Sequence, residues 1–124
     1  MWCEYLKAFI YTPIFFIYDG ASIPKILGWI YTAVGILFYG AQPHDLGYRY
    51  GGLLLVDEET LEIYFKVFSK QELDTIFKEL SSEESGMPRA CATAANVLKI
   101  AGIPTWKKWR KENRQVEDDF PGLF

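Results

Sequence analysis

His44 and Asp45 are neighbours in this 124-residue chain, and their side chains are the ones best suited to chemistry. His44 is the only histidine, and an imidazole is the side chain that most readily acts as a general base near neutral pH. A carboxylate such as Asp45 can hold a hard cation that polarises a substrate oxygen. Tyr48 follows His44 by one helical turn, so its hydroxyl can bond a partner of either residue. The pattern therefore predicts a polar site on a short helix.

Two further carboxylates could complete that site. Asp19 precedes a glycine and the helix start at Ser22, where an acidic side chain either caps the helix or faces a ligand. Asp74 occupies an amphipathic helical segment, either on its solvated face or inside the site. If these residues converge, Asp45 with Asp19 or Asp74 would hold calcium or magnesium, and His44 would activate water.

Helices must position these residues. Ser22 and Pro24 are typical of a helix start, and that helix is expected to end near Gly40, since glycine readily adopts a left-handed cap. Pro43 then begins a second, short helix that carries His44 to Arg49 and ends at a pair of glycines. This pattern predicts that His44 and Asp45 lie close to a helix start.

Strands are predicted on both sides of this helical region. The aromatic segment Tyr5–Tyr18 favours two short strands, or one strand bent at Pro13. Leu53–Val56 and Leu61–Val67 flank an acidic turn, and hydrophobic alternation in the second segment suits a β-hairpin. The strands are expected to form a small antiparallel sheet.

Three helices are predicted in the second half of the chain. Ser69 and Glu72 form a capping box, and apolar residues then recur at helical spacing from Leu73. Pro88 starts a helix rich in small residues that ends before Pro104. The tail, residues 105 to 124, begins with a basic helix that carries two tryptophans and continues into an acidic run.

Length and composition fix the class of protein. A chain of 124 residues that is half hydrophobic predicts one domain over residues 1 to 124, with an α+β fold in which the sheet packs against four to five helices. The net charge of −3 argues against nucleic-acid binding, despite the basic tail.

Cys3 and Cys91 lack neighbours at metal-ligand spacing, which favours a reducing cytoplasm. The uncharged stretch Ile26–Gln42 contains two glycines and is short for a membrane span, so we expect no membrane binding.

The order of three motifs resembles a known family. They are Asp-Gly-Ala-Ser-Ile-Pro at Asp19–Pro24, His-Asp-Leu-Gly-Tyr at His44–Tyr48 and Leu-Asp-Thr-Ile-Phe at Leu73–Phe77, and a late Gly102 and Trp106 follow them. Over residues 8 to 110 this pattern resembles the bacteriophage and prophage family called domain of unknown function 1353. The resemblance implies a phage-encoded protein in the cytoplasm of an infected bacterium, and it groups Asp19, His44, Asp45 and Asp74 as one site, with Ser22 and Tyr48 in support.

A second similarity concerns mechanism. The string His-Asp-x-x-Tyr is similar to the active-site helix of calcium-dependent secretory phospholipases, in which the histidine activates water and the aspartate binds calcium. This chain lacks the flanking cysteines and the glycine-rich calcium loop of those enzymes. The similarity therefore supports a type of mechanism and does not indicate a substrate.

Two functions remain open from the sequence. In the first, the protein is a phage accessory protein whose Asp and His residues form a structural hydrogen-bond network or a pocket, and its partner is a small ligand or a host or phage protein. In the second, it is a metal-assisted hydrolase of an ester or phosphoester, with His44 as base and Asp45, Asp19 and Asp74 as ligands of calcium or magnesium. The first predicts that loss of His44 destabilises the fold, and the second that it abolishes turnover.

Overall fold

A computed structural model describes residues 1–13, 38–86 and 88–123 of the chain. Asp19, Ser22 and nearly all of the helix predicted to follow them lie outside these residues. The described part contains four strands and five helices. It confirms the predicted α+β class, with a small antiparallel sheet and five helices.

The sheet is antiparallel throughout, and its strands follow one another in chain order. The strands are β1 (Trp2–Cys3), β2 (Ala8–Tyr11), β3 (Gly52–Val56) and β4 (Ile63–Val67). In the register, Ile10 lies opposite Leu55, and Leu55 lies opposite Tyr64. Paired residues share one face, and on that face Cys3, Ile10 and Leu55 are buried. The hairpin was predicted correctly, whereas β1 begins earlier than the aromatic pattern indicated.

Helix α1 (Phe38–Tyr50) carries His44 and Asp45 and runs without a break through Pro43. The prediction that one helix ends at Gly40 and another begins at Pro43 is therefore wrong. A proline lacks one N–H and crowds the carbonyl four residues earlier, and here that carbonyl lies in the first turn of the helix. Arg110 caps the other end of α1, because its guanidinium donates to the carbonyls of Tyr48 and Arg49 at 2.8 and 2.9 Å.

Helix α2 (Lys70–Ser85) carries Asp74 and begins at the predicted capping box. The Ser69 hydroxyl accepts from the Glu72 N–H at 3.1 Å, and the Glu72 carboxylate accepts from the Ser69 N–H at 3.2 Å. Helix α2 ends at Gly86, which has a φ of +66°. Helix α3 (Pro88–Ala101) then packs against α2.

The tail forms two helices, α4 (Ile103–Glu112) and α5 (Val116–Asp119). The basic helix was predicted, whereas the acidic run was not expected to be helical. Val116 of α5 is buried, and Trp106 and Trp109 of α4 pack against the core. Helix α1 lies at the centre, because it packs against α2, β3 and α4. None of the helices in the described parts of the chain is long and apolar enough to cross a membrane.

Candidate functional site

The structure brings His44 of α1 and Asp74 of α2 into direct contact. His44 Nε2 lies 2.8 Å from Asp74 Oδ1, and the Tyr48 hydroxyl donates to the same oxygen at 2.7 Å. His44 and Tyr48 are one helical turn apart, so both side chains reach across the same α1–α2 interface. A carboxylate only accepts, and the hydrogen bond therefore places the imidazole proton on Nε2.

Lys70 completes this group, which we call the Asp74 network: His44, Tyr48, Lys70 and Asp74. The Lys70 ammonium donates to Asp74 Oδ2 at 2.7 Å and to the Leu98 carbonyl, near the end of α3, at 2.7 Å. Lys70 precedes Asp74 by four residues, which is the spacing at which side chains of opposite charge meet on a helix. Asp74 consequently joins α1 to α2, and Lys70 extends the network to the end of α3.

The Asp74 carboxylate stays charged although it is buried. Burial disfavours the charged form, but hydrogen bonds from His44, Lys70 and Tyr48 outweigh it and hold the pKa of Asp74 below its usual range. The prediction left open whether Asp74 faces solvent. The structure shows it 2% exposed, with both oxygens bonded.

The imidazole in this network is sealed from solvent. The His44 side chain is 0% exposed and packs beside the rings of Tyr48 and Phe77, whose centroids lie 4.2 and 5.3 Å away. With the proton on Nε2, the atom left to act as a base is Nδ1, and that atom is buried. Within the described residues no hydrogen-bond partner reaches Nδ1. A general base must reach the proton it removes, directly or through one water, and the structure places Nδ1 in the interior.

Asp45 points to a different partner. One of its oxygens lies 3.5 Å from the guanidinium of Arg49, and its side chain is fully buried. Asp19, the third proposed metal ligand, lies outside the described residues, as does Ser22. Among residues 1–13, 38–86 and 88–123, no three His, Cys, Asp or Glu side chains form a group that could hold a metal ion. A site for calcium or magnesium that uses Asp19 remains a prediction.

A small cleft borders the Asp74 network between α2 and α3. Its volume is about 240 Å³, and Asp74, Lys78, Asn96 and Lys99 contribute to its lining. His44 is not among the lining residues. A ligand in this cleft would meet lysines and an edge of Asp74, whereas the imidazole would remain behind the carboxylate.

A larger cavity lies beside the C-terminal end of α1. Its volume is about 720 Å³, within the range of small-molecule sites. We call it the aromatic cavity, because Tyr11, Tyr50, Trp109 and Phe120 contribute to its lining. Arg49, Arg114, Glu112 and Asp119 also line it. Its components come from β2, α1, α4 and the tail, so no single motif could have indicated it.

Charged groups inside the aromatic cavity are tied together through Asp119. Arg114 Nε donates to both oxygens of Asp119, at 2.9 and 2.8 Å, and the Tyr50 hydroxyl donates to Asp119 Oδ2 at 2.7 Å. Hydrogen bonding to Arg114 lowers the pKa of Asp119, whereas burial, followed by the contact with Asp119, raises the pKa of Tyr50. Arg49 lies over the ring of Trp109, with 5.3 Å between the guanidinium carbon and the ring centroid.

Comparisons with known proteins add no assignment. No protein-family model matches the chain, and no curated protein or solved structure matches it. The resemblance to the phage family therefore stays a prediction.

Proposed function

We propose that this chain is a phage-encoded accessory protein that binds a small, planar, negatively charged ligand in the aromatic cavity. In this proposal the Asp74 network, including His44, is structural and takes no part in turnover. The observation that carries the proposal is the contrast in solvent exposure between the His44 imidazole and the aromatic cavity. The His44 imidazole is 0% exposed, whereas an open cavity of about 720 Å³ lies beside the C-terminal end of the same helix.

The aromatic rings and the two arginines in the lining of the aromatic cavity support this class of ligand. Aromatic rings offer flat faces on which a planar ring stacks, and nucleic-acid bases gain about 1–3 kcal/mol from each such contact. Guanidinium groups suit phosphate and carboxylate because they donate two parallel hydrogen bonds. The Arg114 side chain is 46% exposed, so it can meet a ligand while it still bonds Asp119. A nucleotide combines both features, which makes nucleotides the first ligands to test.

Isothermal titration calorimetry with nucleoside monophosphates and cyclic dinucleotides tests the proposal. The corresponding nucleosides, which lack the phosphate, serve as control ligands. We expect saturable binding of at least one nucleotide, and weaker binding of its nucleoside. Arg114→Gln should weaken that binding about tenfold, the loss expected for one charge-assisted hydrogen bond. Arg89→Gln removes an exposed arginine that does not line the cavity, so it should bind as wild type does.

Two results would overturn the proposal. One is that no nucleotide binds a folded protein, and the other is that Arg114→Gln and Arg89→Gln bind equally well. The metal-assisted hydrolase remains the alternative hypothesis, because Asp19 lies outside the described residues. It predicts metal-dependent turnover of an ester or phosphoester that is lost in His44→Ala.

A further inference from the structure

Strand β4 forms an outer edge of the sheet. In the described part of the chain β4 pairs with β3 on one side only. Two hydrophobic residues on it are exposed, Tyr64 at 43% and Val67 at 75%, and Leu61 in the turn before it is 74% exposed. An exposed edge of this kind is a template for pairing with another strand, and proteins usually protect such edges with charges, bulges or prolines. Segment 61–67 contains no proline, and its two charged residues, Glu62 and Lys66, are of opposite sign, so a partner strand can pair them.

The direction of the backbone groups on β4 follows from its pairing with β3. Asp57 N–H donates to the Glu62 carbonyl, and Phe68 N–H donates to the Gly51 carbonyl. Antiparallel pairs alternate between those that exchange hydrogen bonds and those that do not. In the β3–β4 register, residues 62, 64, 66 and 68 therefore face β3. The N–H and C=O groups of Ile63, Phe65 and Val67 point away from the sheet.

The sequence of this edge is complementary to itself. Reversed about Tyr64, segment 62–66 pairs Glu62 with Lys66 and Ile63 with Phe65. Two copies in this antiparallel register would form the Glu62–Lys66 ion pair twice. Val67, the most exposed hydrophobic residue of β4, would lie at each end of the paired segment. Registers shifted by two residues lose the match between opposite charges.

The outward backbone groups favour the same register. Ile63 lies opposite the partner's Phe65, and both residues direct their N–H and C=O groups outward, so each such pair can exchange two hydrogen bonds. Tyr64 lies opposite the partner's Tyr64 in a pair without hydrogen bonds, where side chains approach more closely. Registers shifted by one residue would place outward groups opposite inward ones.

We infer that β4 is an interface for a second copy of this chain. The two copies pair antiparallel about a twofold axis through Tyr64, and the two sheets join into one of eight strands. The inference rests on strand β4 and is independent of the proposed ligand, because no residue of β4 lines the aromatic cavity.

Charge reversal tests this interface, with the dissociation constant of the dimer measured by analytical ultracentrifugation over a concentration series. Lys66→Glu places glutamate opposite Glu62, and Glu62→Lys places lysine opposite Lys66. Each single variant should raise the dissociation constant about tenfold or more, because two attractive cross-strand pairs become repulsive. The double variant restores opposite charges and should return the constant to near the wild-type value. The two single variants shift net charge in opposite directions, so a general charge effect cannot weaken both.

Covalent trapping tests the register. The Cα atoms of an antiparallel pair without hydrogen bonds lie about 4.5 Å apart, within the range that a disulfide spans. Tyr64→Cys should therefore form an intermolecular disulfide under mild oxidation. Ile100→Cys is the control, because Ile100 is 77% exposed but lies on α3. The native Cys3 and Cys91 are buried and should not react.

Three results would overturn the inference. They are a wild-type protein that stays monomeric at the highest attainable concentration, a dimer that both single charge reversals leave unchanged, and a disulfide that forms equally well in both cysteine variants. Rescue by the double charge reversal together with selective trapping of Tyr64→Cys would establish the interface.

Discussion

Replacing Asp74 with alanine removes the acceptor that joins α1 to α2. His44 and Tyr48 would then lose their shared partner inside a region where both are at most 2% exposed. A buried donor left unsatisfied costs about 1–3 kcal/mol, and breaking a buried charge pair costs about 3–5 kcal/mol. Lys70 keeps its bond to the Leu98 carbonyl and some contact with solvent, so we expect a total loss of about 3–5 kcal/mol.

That loss is a large part of the stability of a typical small domain, which is about 5–15 kcal/mol. Asp74→Asn provides a milder comparison, because it keeps an oxygen that accepts from His44 and Tyr48, although its NH2 group cannot accept from Lys70. We expect it to cost about 1–2 kcal/mol. Glu83→Ala is the matched control, because it removes an exposed acidic side chain from the same helix and should stay within about 0.5 kcal/mol of wild type.

Urea unfolding followed by circular dichroism gives the free energies of unfolding, with an unchanged m value as the check on two-state behaviour. If Asp74→Ala does not fold, Asp74→Asn still gives a measurable difference. The reasoning would be refuted if Asp74→Ala unfolded within about 1 kcal/mol of Glu83→Ala.

Three further predictions concern Asp74, Lys70 and the glycine that follows α1. Because the folded-state pKa of Asp74 is lowered, the stabilisation from this carboxylate is present above the unfolded-state pKa of about 3.9 and is lost as the pH falls below it. The free energy of unfolding, measured from about pH 6 downward, should therefore fall less steeply for Asp74→Asn than for wild type. Lys70→Met should cost about 1–2 kcal/mol of unfolding free energy, because it removes a donor from Asp74 and from the end of α3, and a loss under about 0.5 kcal/mol would contradict this. Gly51→Ala should lower the free energy of unfolding by about 2 kcal/mol or more, and Gly86→Ala by about 1 kcal/mol. Both glycines have a positive φ, but only at Gly51 would the new methyl group meet Arg110. Equal losses in the two variants would show that the Arg110 cap contributes nothing.

The sequence predicted those helices and strands whose boundaries are set by residues close together in the chain. The capping box of Ser69 and Glu72 needs only four consecutive residues, and α2 begins where it predicted. The hairpin of β3 and β4 was likewise predicted from alternation on both sides of a short turn. The start of α1 was not, because Pro43 is tolerated inside this helix and a rule about proline alone places a boundary there.

The candidate site depended on contacts that the sequence does not display. His44 and Asp74 are 30 residues apart, and whether Asp74 faced solvent or this histidine depended on how α1 and α2 pack. The four-residue spacing of Lys70 and Asp74 is a local signal for an ion pair on one helix. The aromatic cavity had no comparable signal, because its lining combines residues from near the start, middle and end of the chain.

The His44 side chain is sealed within the fold, and we propose that it does not act as a general base. Because His44 is the only histidine, the reaction of wild-type protein with diethyl pyrocarbonate, followed by peptide mass spectrometry, measures the exposure of this one imidazole. We expect that His44 is not modified in the native protein and reacts fully once urea unfolds the chain. Modification of native His44 at the rate of a free imidazole would contradict it and favour the hydrolase.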